Sequence, residues 1–478
     1  MTVLQWFILV LGTVVSIFAA GHALISKRDP RASMGWIAVC LMFPLFGPLL
    51  YFLFGINRIQ TRAKKLHRLG PACRTGPDEK DASRWLTAIE TLPGPAHLYQ
   101  GLVRIADRIT LRPLTPGNRI ETLFNGEAAY PAMLEAIESA RHRVFLASYI
   151  FDNDSTGKSF VEALHRATAR GVQVRVLVDG FGELYSFPPI FRQLRKRKIP
   201  AARFIPPRLI PPTIEINLRN HRKLLIAEGR TGFTGGINIS ERHLVHCPSK
   251  GRCIQDMHFR ITGPAAFQME QIFIEDWQFA AGEALSPSVA QPPPEGKAFC
   301  RTIIDGPDED LDKLIAILVG AVSAARNSIR IMTPYFLPPR PLIGAMQAAA
   351  LRGVDVTVIL PEKSNLPFVQ WATENMLWEL LQRGVRIYYQ PPPFAHSKLF
   401  IVDDIYSQIG SANIDPRSLR LNFEIAVEIY AESFAGDLAR HFDAVRKRSR
   451  EIRFKDVESR TLPIRIRDSL AWLFTPYL

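Results

Sequence analysis

The sequence has little cysteine: Cys40, Cys73, Cys247, Cys253 and Cys300 form an odd, scattered set that supplies no disulfide framework. The cluster His243, His246, Cys247, Cys253 and His258 has the residue types of a zinc site but not its paired short spacings, so a polar loop with incidental thiols is the better reading. No acidic cluster suited to a divalent ion stands out, and neither metal nor cofactor is expected. A stretch of interleaved basic and aromatic residues, as a nucleic-acid strand needs, is also missing, which argues against nucleic acid as a partner. The net charge of +14 over 478 residues still asks for an anionic partner, either nucleic acid or acidic lipid, and charge alone does not choose between them. A hydrophobic content of 47% excludes general disorder.

Charge is scarcest at the start. Thr2 to Ser26 carries no formally charged side chain and exceeds the roughly 20 residues needed to cross a hydrocarbon core. Lys27, Arg28, Asp29, Pro30 and Arg31 follow, then a second uncharged run from Ala32 to Asn57 in which Pro44, Gly47 and Pro48 predict a kink. A signal peptide needs a basic start that Met1 to Trp6 lacks, and it leaves the second run unexplained. Residues 1–57 therefore read as a two-helix membrane hairpin. Arg58, Arg62, Lys64, Lys65 and Arg68 outnumber Lys27, Arg28 and Arg31, which predicts a cytoplasmic location for the rest of the chain.

Residues 58–116 read as a linker with a short helix around residues 82–92. Beyond it one pattern occurs twice. Strands at 144–149 and 172–178 flank a helix at 155–169, and strands at 329–333 and 354–360 flank a helix at 342–351. Both helices run into Arg-Gly, at Gly171 and Gly353, a stop signal because glycine accepts the left-handed cap. Strand–helix–strand order predicts parallel pairing in an α/β fold, with halves at 117–290 and 298–456 and an amphipathic tail at 457–478. Gly157-Lys158-Ser159 ends like a phosphate-binding loop, but Asp152 stands where the leading glycine is required, and a helix start explains it better.

The duplication extends to chemistry. The first half reads His221-Arg222-Lys223, four apolar residues, Glu228, then Gly235-Gly236-Ile237-Asn238. The second reads His396-Ser397-Lys398, four apolar residues, Asp403, then Gly410-Ser411-Ala412-Asn413. On a strand the His and Lys of each triplet share one face, with Arg222 or Ser397 on the other. A phosphodiester needs a nucleophile, a proton donor for the leaving alkoxide and positive charge at its free oxygens. Two imidazoles supply the first two, Lys223 and Lys398 the charge, and Asn238 and Asn413 neutral donors.

These paired segments resemble the His-x-Lys-x4-Asp motifs of the phospholipase D superfamily. With the hairpin, the stretch from Arg31 to Gly55, Asp415 to Leu419 and Asn422-Phe423-Glu424, the chain resembles the bacterial cardiolipin synthases. That resemblance implies two α/β/α sandwich domains about a pseudo-twofold axis and a multi-pass protein of the bacterial inner membrane. The implied reaction takes a phosphatidyl group from one phosphatidylglycerol to another through a phosphohistidine at His221, with His396 as acid and base. It also implies a carboxylate behind each imidazole, for which Glu424 and Asp256 are the candidates. Glu228 departs from the usual Asp; it and Asp403 count with the motif, as scaffold for neighbouring backbone and lysine. Hydrolysis, or a donor such as phosphatidylethanolamine, is the alternative with the same chemistry.

Overall fold

The computed structural model describes residues 2–27, 30–55, 92, 94–209, 212–213, 218–245, 253–288, 291–307 and 312–475. The predicted helix at 82–92, but for Leu92, and the basic residues after Asn57 used for orientation lie outside that set. The chain divides into two compact units, 1–66 and 67–478.

In the N-terminal unit Val3–Ser26 is one helix, capped by Thr2 and Gln5, and Gln5–Ser26 is long and apolar enough to cross a membrane. The second run is not a continuous span. It forms a 13-residue helix, Pro30–Met42, about 20 Å long at 1.5 Å per residue. It then turns at 43–45 and continues as Phe46–Leu50 and a π-turn at Tyr51–Gly55. The break falls at the expected Pro44, and Gly47 is required there: a Cβ would stand 2.3 Å from the Val39 carbonyl oxygen. Ser16 Oγ donates to the Pro44 carbonyl at 2.9 Å and His22 Nδ1 lies 2.8 Å from the Tyr51 hydroxyl, polar contacts of the sort that hold apolar helices together.

The larger unit is built on one 15-stranded sheet. From its centre outward the first half contributes Thr115–Phe124, Met257–Thr262, Thr231–Gly235, Leu224–Ala227, Arg143–Ser148, Gln173–Asp179 and Ala201–Phe204. The second half contributes, in the matching order, Ala298–Asp305, Glu424–Tyr430, Tyr406–Gly410, Leu399–Val402, Ser328–Met332, Asp355–Pro361 and Arg386–Gln390, with Arg450–Ile452 as an extra edge. The halves join where Thr115–Phe124 runs antiparallel to Ala298–Asp305. The predicted parallel pairs form, Arg143–Ser148 on Gln173–Asp179 and Ser328–Met332 on Asp355–Pro361. Their helices run Ser155–Ala169 and Arg340–Leu351, with Gly171 and Gly353 at φ of +84° and +90° beyond the caps.

Alternation along the strands splits the core in two layers. Val144 and Leu146 pack under the outer helix of their own half, while Phe145 and Ala147 face a core shared by both halves. That shared core gathers Phe259, Phe273 and Trp277 from one half with Ile401, Ile425 and Phe442 from the other. Phe145 stacks 4.9 Å from Phe273 and is fully buried, so truncation to Ala would cost about 3–5 kcal/mol.

The described part of the segment expected to be a linker, from residue 94 on, is structural. Gln100–Thr110 is a helix whose Leu102, Val103 and Ala106 are buried in the core of the second half, not the first. Tyr99 donates to Asp403 at 2.6 Å, and Asp107 pairs with the fully buried Arg301, which also holds Glu428. The tail is likewise docked: on helix Leu462–Leu473 the buried Asp468 accepts from Arg460 and Arg467, while Leu470 and Leu473 stay exposed. Cys253 is disulfide-bonded, contrary to the expectation of no bridge; Cys40 and Cys300 are free and buried.

Candidate active site

Each His-x-Lys triplet stands just before a strand of its own half, Leu224–Ala227 or Leu399–Val402, rather than on it as strand alternation predicted. The reason is a change of backbone partner. His221 N–H donates to the Phe423 carbonyl at 2.9 Å, and His396 N–H donates to the Gln255 carbonyl at 2.7 Å. Each histidine is therefore stitched to the opposite half. The next residue along each partner is a carboxylate.

His221 Nδ1 lies 2.9 Å from Glu424 Oε1, and His396 Nδ1 is hydrogen-bonded to Asp256 Oδ2 at 2.7 Å. The carboxylates are crossed: each half supports the imidazole of the other. Such a partner fixes the tautomer and leaves Nε2 for chemistry. Lys223 Nζ donates to the His221 carbonyl at 2.8 Å and Lys398 Nζ to that of His396 at 2.6 Å, folding each ammonium back beside its imidazole. Arg222 faces away, as predicted, and holds Asp276 and the Glu424 carbonyl.

The site is buried, and that sets its electrostatics. Loss of solvent pushes Lys223 down to about 7, against the pull of Glu424, and Lys398 down to about 8, against that of Asp256. Burial also holds His221 below the ordinary imidazole value and His396 well below it, the latter helped by the nearby charges of Lys398, Lys223 and His221. Asp256 is raised by burial. For Glu424 burial acts upward, but His221, Lys223 and the Ser411 hydroxyl outweigh it and the carboxyl ends low.

The two turns differ in detail. Ser411 Oγ donates to Glu424 Oε2 and accepts from Ile425 N–H at 3.1 Å. The equivalent Gly236 has no hydroxyl, and a Cβ there would lie 2.3 Å from Asp256 Oδ1, so glycine is what lets Asp256 reach His396. Asn238 accepts from Ile150 N–H through its carbonyl oxygen at 3.2 Å, and Asn413 donates to Ser418 Oγ at 3.1 Å.

Glu228 and Asp403 are not among the reacting groups. Each sits beyond the far end of the strand that follows its lysine. Glu228 accepts from the amides of Arg141, His142 and Arg143, and Asp403 from those of Arg326, Asn327 and Ser328. They act as backbone clamps on the strands next door. Both have left-handed backbones, φ +59° and +51°, a region that Asp tolerates better than Glu.

Sequence reasoning missed the walls. The Tyr149 ring is 4.9 Å from the His221 ring; Phe394 and Tyr335 lie 5.9 and 6.3 Å from that of His396. Aromatic residues scattered over three segments carry no local signal. His243, considered above only as a metal ligand, is buried with its ring 6.3 Å from that of His396 and Nδ1 3.9 Å from Asp256 Oδ2. Burial pushes it down to about 3, so it stands neutral behind the carboxylate. His258, from the same cluster, is also buried and lowered, to about 4.

A family model described as "Cardiolipin synthase, PLD-like domain" matches residues 133–277 and 318–446, and one described as "Phospholipase_D-nuclease N-terminal" matches 14–55. The chain belongs to the cardiolipin synthase family. Within it, a cardiolipin synthase of Geobacillus kaustophilus is 32% identical over 467 residues, covering 97% of this chain and 92% of its own length. The major cardiolipin synthase of Bacillus subtilis is 32% identical over 461 residues, covering 95% of each. The fold extends beyond the family: a phosphatidylserine synthase of Haemophilus influenzae matches with a TM-score of 0.63 at 16% identity, over 79% of this chain and 100% of its own. The N-terminal match and the apolar helix Gln5–Ser26 associate this family member with a membrane.

Proposed function

We propose that this chain transfers a phosphatidyl group from one phosphatidylglycerol to the terminal hydroxyl of another, forming cardiolipin and releasing glycerol. One observation carries the reading: two imidazoles, each backed by a carboxylate of the opposite half, share a buried site with two lysines. Glu424 keeps the proton of His221 on Nδ1, so the Nε2 lone pair attacks phosphorus. A P–N bond forms as the P–O bond to glycerol breaks. His396 gives that oxygen its proton, then takes one from the incoming hydroxyl, whose oxygen displaces the imidazole. Such proton transfer contributes about 10²–10⁴-fold.

The lowered lysines suit this role. Burial is what lowers Lys223 and Lys398, and an arriving phosphodiester adds an anion beside them, raising both and the imidazole of His396 toward their protonated forms. Asn238 and Asn413 stand on the matched turns as the neutral donors. Water must stay out, or the intermediate ends as phosphatidic acid. Phosphatidylglycerol and other anionic phospholipids fit the basic chain, and the excess of basic residues after the second apolar run favours a multi-pass protein with the body on the cytoplasmic face. The disulfide at Cys253 points the other way, to an oxidising compartment, and protease protection in intact cells and spheroplasts decides between the two.

The deciding experiment incubates the purified chain with phosphatidylglycerol vesicles and follows lipids by mass spectrometry. Cardiolipin and glycerol in equal amounts support the proposal. Phosphatidic acid alone moves the assignment to a hydrolase.

A further inference from the structure

We propose that the loop from Leu184 to Pro188, with the helix Ile190–Lys196 behind it, docks the catalytic body on an anionic bilayer beside the mouth of the reaction site. The inference rests on the lipid substrate proposed above. The loop follows the turn Gly182–Tyr185, and its tip is apolar and outward: Leu184 is 55% exposed, Tyr185 50% and Phe187 90%. Folded chains do not leave three such side chains together in water without use for them.

The tip is not loose at its base. Asp179 Oδ1 accepts from the amides of Phe181 and Gly182, each at 2.9 Å. Asp179 Oδ2 accepts from the amide of Asn220, the residue before His221, also at 2.9 Å. One buried carboxylate thus anchors both the loop and the segment that carries the imidazole. Gly182 is pressed so closely on Tyr149 that a Cβ would meet its carbonyl oxygen at 1.8 Å. The Tyr149 ring, 4.9 Å from that of His221, lies 6.2 Å from that of Tyr185. On the far side Asn153 holds the Pro188 carbonyl at 3.0 Å and the Ser186 hydroxyl at 3.2 Å. The apolar tip is one aromatic ring away from the site.

Charge identifies the occupant. Behind the tip, Ile190 and Leu194 bury the inner face of the helix, while Arg192, Arg195, Lys196 and the following Lys198 are exposed. Apolar side chains that enter the acyl boundary, flanked by cations at headgroup level, are the pattern of an interfacial anchor. A second copy seated by symmetry on this edge would bring the same cations face to face. An anionic lipid surface has the complementary sign, and it holds the proposed substrate.

The test uses the full chain in nanodiscs. For turnover, wild type and the double variant Leu184→Ser/Phe187→Ser are compared on phosphatidylglycerol embedded in the disc and on dihexanoyl phosphatidylglycerol dissolved as monomers. The variant should lose about tenfold or more in kcat/KM on the embedded lipid and stay within about twofold on the soluble one. Arg195→Glu/Lys196→Glu should repeat that split and weaken its salt dependence. Equal losses on both substrates, or no loss on either, overturn the proposal. A readout independent of turnover is Phe187→Trp fluorescence against the wild-type background: brominated phosphatidylglycerol should quench the added signal. No quenching overturns docking whatever the activity, and self-association at this edge in place of quenching does the same. Quenching without any turnover supports docking while removing the transferase reading.

Discussion

The two sides of the site answer one problem with different parts. On the His221 side a Glu reaches across from the second half, held by the hydroxyl of Ser411 and kept ionised. On the His396 side the shorter Asp256 does the same task; a glycine stands where the serine would be, and the neutral His243 closes the back. One imidazole therefore faces a firmly anionic partner and the other a partner whose carboxyl burial has raised. A duplicated scaffold has become unequal at the layer just behind the reacting atoms, and that inequality suits one histidine for attack and the other for proton traffic.

The strongest way to break this comparison is to remove the imidazoles one at a time. His221→Ala and His396→Ala should each lower kcat with phosphatidylglycerol by at least about 10⁴-fold, read by lipid mass spectrometry. To sharpen it, a p-nitrophenyl phosphodiester needs no acid for its leaving group. His396→Ala should still release nitrophenolate in a burst and carry the adduct on His221, whereas His221→Ala should show neither. A burst from His221→Ala alone would reverse the roles.

Next come the crossed carboxylates. Glu424→Gln should lower kcat by about 10²–10³-fold, and Asp256→Asn by less, because His396 works as a proton carrier that solvent and substrate can partly recharge. Equal losses would mean the two sides are equivalent after all. A smaller effect is expected with pH. Lys223, near 7, and Lys398, near 8, lose protons as pH rises, so positive charge at the free oxygens falls and kcat/KM should decline through that range. In kcat the decline should move to higher pH, since bound phosphate favours the charged lysines. A kcat/KM profile flat from pH 7 to about 9 would remove the lysines from that role.

The smallest effect belongs to the clamps. Glu228→Ala should lower stability by about 1–3 kcal/mol, seen as a reduced Tm, while the pH profile keeps its shape. Glu228→Asp should change Tm little or raise it, because the left-handed backbone suits the shorter acid.

Much of this was legible from the chain alone, for reasons that mark where reading stops. The paired triplets and their lysines show in the sequence because they recur at fixed spacing, and both candidate carboxylates because the family resemblance points to them. The crossing does not. Spacing ties Glu424 to His396 and Asp256 to His221, while the fold pairs them the other way, since a backbone bond from each histidine reaches the opposite half. The helix Gln100–Thr110 was missed for a related reason: its buried residues contact a domain that begins nearly two hundred residues later, across a stretch rich in Gly, Pro and charge. The second apolar run has the composition of a membrane segment, yet Pro44 and Gly47 divide it. Length of an apolar run does not fix the length of its helix.

The reciprocal exchange of carboxylates makes neither lobe sufficient alone. Each imidazole takes its supporting acid from across the seam, so a lobe separated from its twin would keep a histidine without its carboxylate and a carboxylate without its histidine.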